Sequence, residues 1–158
     1  MTMASFSPLT VYYCADPADL AFCQALDLHL SPLKSIGRIQ IWGDEQILAG
    51  QEREQEREKH LSTAQILVLL LSPDFLASEG GQHQISVALQ RHQAEDVVVI
   101  PLLVRPCSWQ EMGLSALQIL PREQKALSTR SHPDEAWQEI VTEISRTIAT
   151  IWQWVFVV

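Results

Sequence analysis

The stretch Ile66–Leu71, with the sequence ILVLLL, is followed directly by Ser72-Pro73-Asp74-Phe75. Six consecutive apolar residues are typical of a strand that is buried on both faces, as strands are in parallel sheets covered by helices. The Ser-Pro-Asp sequence is a turn signal that ends the strand. This segment therefore predicts an α/β fold with a buried strand in a parallel sheet.

Four other segments on either side of this strand predict further strands. Val97–Val104 is a second continuous apolar run, and it predicts another strand buried on both faces. Upstream, the β-branched and aromatic Leu9–Tyr13 and the alternating Arg38–Trp42 predict two strands. Downstream, Ala126–Ser128 predicts a weak last strand.

Helical spacing of apolar residues separates these strands. Strands that alternate with helices imply right-handed βαβ units and a parallel sheet covered on both faces. The charge-dense segment after the second strand contains opposite charges at i,i+3 spacing, which indicates a solvated helix face. The predicted helices span Asp16–Leu30, Gln51–Ser62, Gln82–His92 and Asp134–Trp152, with a short turn at Phe75–Ala77.

Composition limits the class of protein. The chain has 158 residues, of which 47% are hydrophobic, and 11 basic against 19 acidic residues give a net charge of −8. This length suits one domain, and the charge argues against the nucleic-acid backbone as a direct partner. Three scattered cysteines fit neither a disulfide scaffold nor a zinc site, so we expect a cytoplasmic protein. No apolar run approaches the roughly 20 residues of a membrane helix, and no signal peptide is expected.

Several common α/β functions lack their motifs in this sequence. It contains no G-x-x-x-x-G-K-[ST] loop, no G-x-G-x-x-G after the first strand and no G-x-S-x-G turn. The five histidines show no metal-ligand spacing, so no metal site is predicted. Because ligands of parallel sheets bind outside the carboxyl ends of the strands, the loops to examine are Tyr13–Asp16, Trp42–Asp44, Ser72–Asp74 and Arg105–Cys107.

With this order of elements and these loop sequences, the chain resembles a TIR (Toll/interleukin-1 receptor) domain of the prokaryotic type. The resemblance implies a flavodoxin-like three-layer α/β fold, with a central parallel sheet of about five strands and helices on both faces. It implies a TIR domain over residues 8–152, with 153–158 as an apolar tail or the start of a linker to a missing domain. The matching motifs are Val11–Asp16, Ile41–Gly50, Leu70–Ser78, Val99–Trp109 and Asp134–Trp137.

Many domains of this family cleave NAD+ at the nicotinamide–ribose bond, and the resemblance implies this activity with NAD+ as substrate and no cofactor. The family uses a glutamate in the helix after the Ser-Pro-Asp-Phe loop, a few residues beyond an aromatic. Matching Ile85–Leu89 to that helix puts Gln84 on the catalytic position, and Gly80 where the aromatic usually stands. An amide carries no charge and cannot act as a base, so a rate loss of at least about 10²–10⁴ is expected.

Two explanations account for a glutamine at position 84. It is either an engineered exchange in an active enzyme, which the retained Trp42 and Asp44 favour, or the native residue of a domain that only binds. The resemblance implies NAD+ contacts for Tyr13, Cys14, Trp42, Asp44 and Ser72.

For single residues the interpretations stay open. Trp42 and Asp44 are alternatively a packing tryptophan and a turn aspartate. Asp74 is predicted to be a turn or cap residue, and Arg105 to form a surface ion pair.

The resemblance also implies partners. Family members of this kind become active on self-assembly, in which the loop Trp42–Gly50 of one copy completes the site of the next. The activating signal usually comes through another domain, such as a sensor. The expected role is that of an effector in bacterial defence signalling. The alternative is a non-catalytic module that recruits other TIR domains through the same loop, without contact to nucleic acid or membrane.

Overall fold

A parallel sheet forms the centre of the computed structural model, which describes residues 7–156. Within these residues the sheet has four strands, β1 (Leu9–Cys14), β2 (Ile39–Trp42), β3 (Ile66–Leu71) and β4 (Val98–Leu103). Their order across the sheet is β2-β1-β3-β4, and all pairs are parallel. The helices are α1 (Leu20–His29), α2 (Ser31–Ser35), α3 (Arg53–Thr63), α4 (Pro73–Ala77), α5 (Glu79–Gln93) and α6 (Pro133–Phe156).

The predicted buried strand is confirmed as β3. It lies between β1 and β4, with Leu67 paired to Tyr12 on one side and to Val99 on the other. All six residues of β3 are buried, because helices cover both faces of the sheet. The predicted α/β class and the three-layer arrangement are therefore confirmed.

The two helical layers form two hydrophobic cores. On one face, Val11 and Val68 pack with the buried residues of α1 and α6. On the other face, Tyr12 and Leu69 pack with residues of α3, α4 and α5. Successive residues of a strand point to opposite faces, so the alternation along β1 decides which side chains can reach α5.

The prediction of a fifth strand at Ala126–Ser128 is wrong. Leu127–Thr129 is a 3₁₀ turn, and the two apolar residues of this segment, Ala126 and Leu127, are buried by core packing instead of strand pairing. On the side of β4 away from β3, within residues 7–156, Leu120 forms an isolated bridge to Leu102, and Pro121 follows it. Proline has no N–H to donate to a ladder, so pairing does not continue.

All four predicted helices differ from their predicted bounds. α1 begins at Leu20, four residues after the predicted Asp16, because Pro17–Asp19 forms a 3₁₀ turn. α5 begins at Glu79, three residues before the predicted start, because the Ser78 hydroxyl caps it by accepting from the Gly81 N–H at 2.9 Å. α6 continues past Trp152 to Phe156. Of the predicted tail 153–158, the last two residues lie outside the described part of the chain. No helix within residues 7–156 has the length and apolar character to cross a membrane.

Candidate functional site at the carboxyl edge of the sheet

Four side chains on the α3–α5 face of the sheet form one contact chain. The Gln84 amide nitrogen donates to the Tyr12 hydroxyl oxygen at 3.3 Å. The Tyr12 ring meets the Trp42 indole edge-on, with centroids 5.2 Å apart, and Trp42 stacks on His60 at 4.0 Å. We call Tyr12, Trp42, His60 and Gln84 the Gln84 cluster; it joins the ends of β1 and β2 to α3 and α5.

Gln84 is placed by the tight corner between α4 and α5. At Gly81, the backbone of α5 passes so close to α4 that a Cβ would lie 1.9 Å from the carbonyl oxygen of Phe75. The Ser78 hydroxyl joins the two helices by donating to the same carbonyl at 3.2 Å. Gln84 follows one turn later and is half-buried. At Gly80, by contrast, a Cβ would meet open space.

Asp44 holds the loop after β2 against α3. Arg57 donates from Nε to one carboxylate oxygen of Asp44 at 3.2 Å and from a terminal nitrogen to the other at 2.5 Å. This bidentate contact raises the pKa of Arg57. The loop carries the strongly exposed Leu48, at 69% of its maximal accessibility, and Gly50 ends it with a φ of +89°. A left-handed φ of this kind favours glycine.

Tyr12 and Cys14 are both held in their neutral forms. Burial, with a smaller contribution from the neighbouring Cys14, raises the pKa of the Tyr12 hydroxyl well above its usual range. Burial likewise raises the pKa of the fully buried Cys14 thiol far above that of a free cysteine. The reactive form of cysteine is the thiolate, so Cys14 is not a nucleophile in this fold.

The remaining predicted contacts do not lie together with Gln84. Tyr13 points to the opposite face of the sheet, where it packs against the α1–α6 core. Ser72 is fully buried, and its hydroxyl donates to Asp19 at 2.5 Å and accepts from the N–H of Phe75 at 3.1 Å. Of the predicted site residues, the structure thus brings Gln84 and Trp42 together through Tyr12, with Asp44 on the loop beside them.

A second polar group lies between the ends of β1, β3 and β4. Arg105 donates from Nε to the carboxylate of Asp19 at 2.8 Å and also pairs with Asp74. Asp19 is completely buried, whereas the side chain of Arg105 retains 30% of its accessibility. Hydrogen bonds to Asp19 and Asp74 raise the pKa of Arg105. The ion pair predicted for Arg105 is present but is partly buried, and Ser72, not Asp74, caps α4.

Sequence reasoning missed Tyr12, His60 and Asp19. Asp19 precedes the buried Leu26 by seven residues, two helical turns, so spacing places it on the inward face of its segment. For Tyr12, the alternation along β1 was a signal that two adjacent tyrosines face different layers. No local signal identifies His60, because its neighbour Trp42 is 18 positions away in the chain.

Within residues 7–156, no three His, Cys, Asp or Glu side chains are grouped so that they could hold a metal ion. The chemistry available around Gln84 is that of a carboxamide, a neutral phenol, an indole and an imidazole. The carboxylates of Asp19, Asp44 and Asp74 are all bound to arginines.

Comparison with known proteins gives a consistent result. The family model described as "TIR domain" matches residues 10–144. An uncharacterized protein of Sinorhizobium fredii is 30% identical over 136 residues, which are 85% of this chain and 42% of that protein. The chain therefore spans less than half the length of this relative.

The fold is also found in a solved structure. The crystal structure of the RPS4 and RRS1 TIR domain heterodimer is similar with a TM-score of 0.55 and 14% identity, over 89% of this chain and 98% of that chain. The TIR domain of the Toll-related receptor TRR-2 from Hydra magnipapillata gives a TM-score of 0.48 and 19% identity, over 62% of this chain and 72% of that chain.

Proposed function

Because the chain belongs to the TIR domain family, we propose that it is a TIR domain of the NAD-cleaving type whose activity is strongly impaired by Gln84. The observation that carries this proposal is the Gln84 cluster. An uncharged amide donates to the Tyr12 hydroxyl at 3.3 Å beside the indole of Trp42, at the position where the family's chemistry needs a carboxylate.

The reaction explains why this exchange matters. When neutral nicotinamide leaves NAD+, positive charge develops on the ribose, and a fixed carboxylate stabilises that charge. The amide of Gln84 is nearly isosteric with a carboxylate and is able to hydrogen-bond a ribose hydroxyl, but it supplies no negative charge. We expect NAD+ to bind and turnover to fall by at least about 10²–10⁴.

The surroundings of Gln84 are compatible with a glutamate. A carboxylate at this position would accept a hydrogen bond from the Tyr12 O–H, whereas the amide now donates to the same oxygen. Burial keeps the Tyr12 hydroxyl protonated, since its pKa is raised, so this donor would be present at neutral pH. The Gln84→Glu exchange therefore requires no rearrangement of the cluster.

TIR–TIR contact is the second part of the proposal. The resemblance gives the loop Trp42–Gly50 this role. In it Leu48 is exposed, and the Asp44–Arg57 pair anchors the loop to α3. The similar RPS4 and RRS1 structure is described as a TIR domain heterodimer, which supports pairing of this kind. We propose a cytoplasmic effector in defence signalling whose assembly is driven by a sensor domain, without direct nucleic-acid or membrane partners.

The test is the rate of nicotinamide release by the Gln84→Glu variant, with the protein concentrated or clustered on a scaffold. The matched control is Gln90→Glu, which adds the same charge to an exposed position of the same helix. We expect turnover in the first variant and little in the control or the unchanged chain. No turnover by Gln84→Glu would contradict the NAD-cleaving proposal, and equal turnover by the unchanged chain would show that Gln84 is not the catalytic position.

One observation favours the alternative, a non-catalytic TIR interaction module. The three aspartates around the carboxyl edge, Asp19, Asp44 and Asp74, are all bound to arginines, and so are not free for catalysis. This alternative predicts concentration-dependent association that Leu48→Asp abolishes, together with an inactive Gln84→Glu variant. Both functions predict association, so nicotinamide release by Gln84→Glu separates them. Turnover supports the NAD-cleaving function, and association seen by light scattering without any turnover supports the module.

A further inference from the structure

The outer surface of α1 is apolar and uncharged. Seven of the ten residues of the helix are apolar, of which Leu26 is buried in the α1–α6 core. Leu20 and Leu28 expose 55% and 70% of their maximal accessible surface. We call the four exposed residues of the helix the α1 face; they are Leu20, Ala21, Gln24 and Leu28. A helix that is apolar on nearly all sides is normally covered on nearly all sides, so this face is expected to have a partner outside the single chain.

The four residues of the α1 face lie on one side of the helix. With 3.6 residues per turn, they fall within an arc of about 100°. Leu20 and Leu28 are separated by about 12 Å along the helix axis. Ala21 and Gln24 lie between them, and the small side chain of Ala21 permits a close approach. Two large apolar side chains thus flank a lower, uncharged centre.

The α1 face differs in charge from the rest of the helical surface. The chain has a net charge of −8, so two copies repel each other unless they meet through uncharged surfaces. Beside the α1 face, the half-buried Asp27 is balanced by Lys34, whose Nζ lies 3.1 Å from both carboxylate oxygens. Each of the other helices within residues 7–156 exposes at least one charged residue, for α2 to α6 in turn Lys34, Glu58, Asp74, Glu79 and Glu139.

We propose that the α1 face is an interface between two copies of this chain, in which the two α1 helices pack antiparallel about a twofold axis at Gln24. In an isologous contact of this kind the same surface of both copies meets itself, so Leu20 of each copy faces Leu28 of the other. The antiparallel direction also places the two helix dipoles favourably. An uncharged face suits contact with itself better than contact with a charged peptide or a nucleic acid.

The size of the α1 face limits the strength of the contact. A helix of ten residues is about 15 Å long, whereas a stable interface of standard size buries about 800 Å² on each partner. One helix face supplies only part of that area, so we expect a reversible dimer with a Kd in the micromolar range or weaker. α1 packs in the layer opposite α3, to which the Asp44–Arg57 pair ties the loop Trp42–Gly50. The dimer is therefore a different contact from that of the loop, and it requires no turnover at Gln84.

Sedimentation velocity over a series of concentrations tests the proposal with two complementary charge variants. Leu20→Lys or Leu28→Glu alone puts a charge against an apolar side chain at both ends of the dimer, and should raise the Kd at least about tenfold. In an equimolar mixture, a lysine faces a glutamate at one end and a leucine faces a leucine at the other. Mixed dimers should therefore form about as tightly as dimers of the unchanged chain. Because both positions are exposed, the melting temperature of the variants should equal that of the unchanged chain.

The matched control is an equimolar mixture of Ser86→Lys and Gln90→Glu, which carry the same charges on exposed positions of α5. Each control variant and their mixture should dimerise as the unchanged chain does. All these variants keep the loop Trp42–Gly50, so any contact through the loop contributes equally to every measurement. The proposal is overturned if the unchanged chain stays monomeric at millimolar concentration, if Leu20→Lys and Leu28→Glu each dimerise as the unchanged chain does, or if mixing them restores no association.

Discussion

Exchange of Gly81 for alanine should destabilise the protein, whereas the same exchange at the adjacent Gly80 should not. A Cβ at Gly81 would lie 1.9 Å from the Phe75 carbonyl oxygen and 2.9 Å from the Ser78 hydroxyl oxygen. The nearest of these atoms belongs to the backbone of α4, which cannot rotate away as a side chain can. The corner between α4 and α5 would therefore have to open.

The expected magnitude follows from two opposing effects. Overpacking a tight contact costs about 1–3 kcal/mol, and a backbone clash belongs at the upper end of that range. Replacing a helical glycine by alanine otherwise stabilises the folded state by about 0.5–1 kcal/mol. The net loss for Gly81→Ala is about 2 kcal/mol, whereas Gly80→Ala, with open space around its Cβ, should gain about 0.5 kcal/mol.

Urea denaturation measures the free energy of unfolding of both variants against the unchanged chain. Thermal denaturation is a second measurement: for a domain of this size, a loss of about 2 kcal/mol lowers the melting temperature by about 4–8 °C. Two variants with identical chemistry at adjacent positions share the same unfolded-state effect, so their difference isolates the contact with Phe75. A Gly81→Ala protein as stable as Gly80→Ala would refute the close approach of α4 and α5.

Three further predictions concern a buried ion pair, a histidine and two cysteines. Arg105→Ala should lower the free energy of unfolding, measured by urea denaturation, by about 2–3 kcal/mol, because it leaves the buried Asp19 carboxylate unpaired; the figure is reduced for the partial exposure of Arg105. A change under about 0.5 kcal/mol would contradict the ion pair. The pKa of His60 is lowered in the folded state, so its contribution to stability is present above about pH 6.5 and is lost as the pH falls below that value. The free energy of unfolding of His60→Gln, measured at a series of pH values, should therefore fall less steeply below about pH 6.5 than that of the unchanged chain. An equal slope would refute this prediction. Iodoacetamide should label the half-buried Cys107 before the fully buried Cys14, whose thiol pKa is raised further; mass spectrometry showing the reverse order would contradict the burial of Cys14.

The strands were predictable where hydrophobic pattern and turn signals agree. β3 has the predicted bounds, because a run of six apolar residues is closed by Ser72-Pro73 and both faces are covered. The last strand was predicted wrongly from a similar but shorter pattern. Ala126 and Leu127 are buried by core packing, and an apolar pair does not distinguish packing from strand pairing.

The start of α5 was missed because local propensity opposes it. Two glycines disfavour a helix, yet the Ser78 cap and the close contact of Gly81 with Phe75 hold Gly80 and Gly81 inside the helix. That contact depends on tertiary structure, which local sequence does not encode.

In the site, too, the sequence predicted some residues, whereas others depend on contacts between distant segments. The position of Gln84 was obtained from the resemblance to the family's helix, and the stretch after β2 was recognised as a loop. The choice between Tyr12 and Tyr13 was not predictable from composition, since both faces of the sheet are apolar. Asp19 was missed because an aspartate is expected at the surface unless it is paired, and its partner Arg105 lies 86 residues away.

The most direct test of the proposed function is the ratio of the nicotinamide release rates of Gln84→Glu and Gln90→Glu, with both variants clustered on the same scaffold. The two proteins have the same net charge and differ only in where the new carboxylate stands. A carboxylate beside the Tyr12 hydroxyl predicts a ratio of at least about 10². A ratio near one would contradict the assignment of Gln84 to the catalytic position.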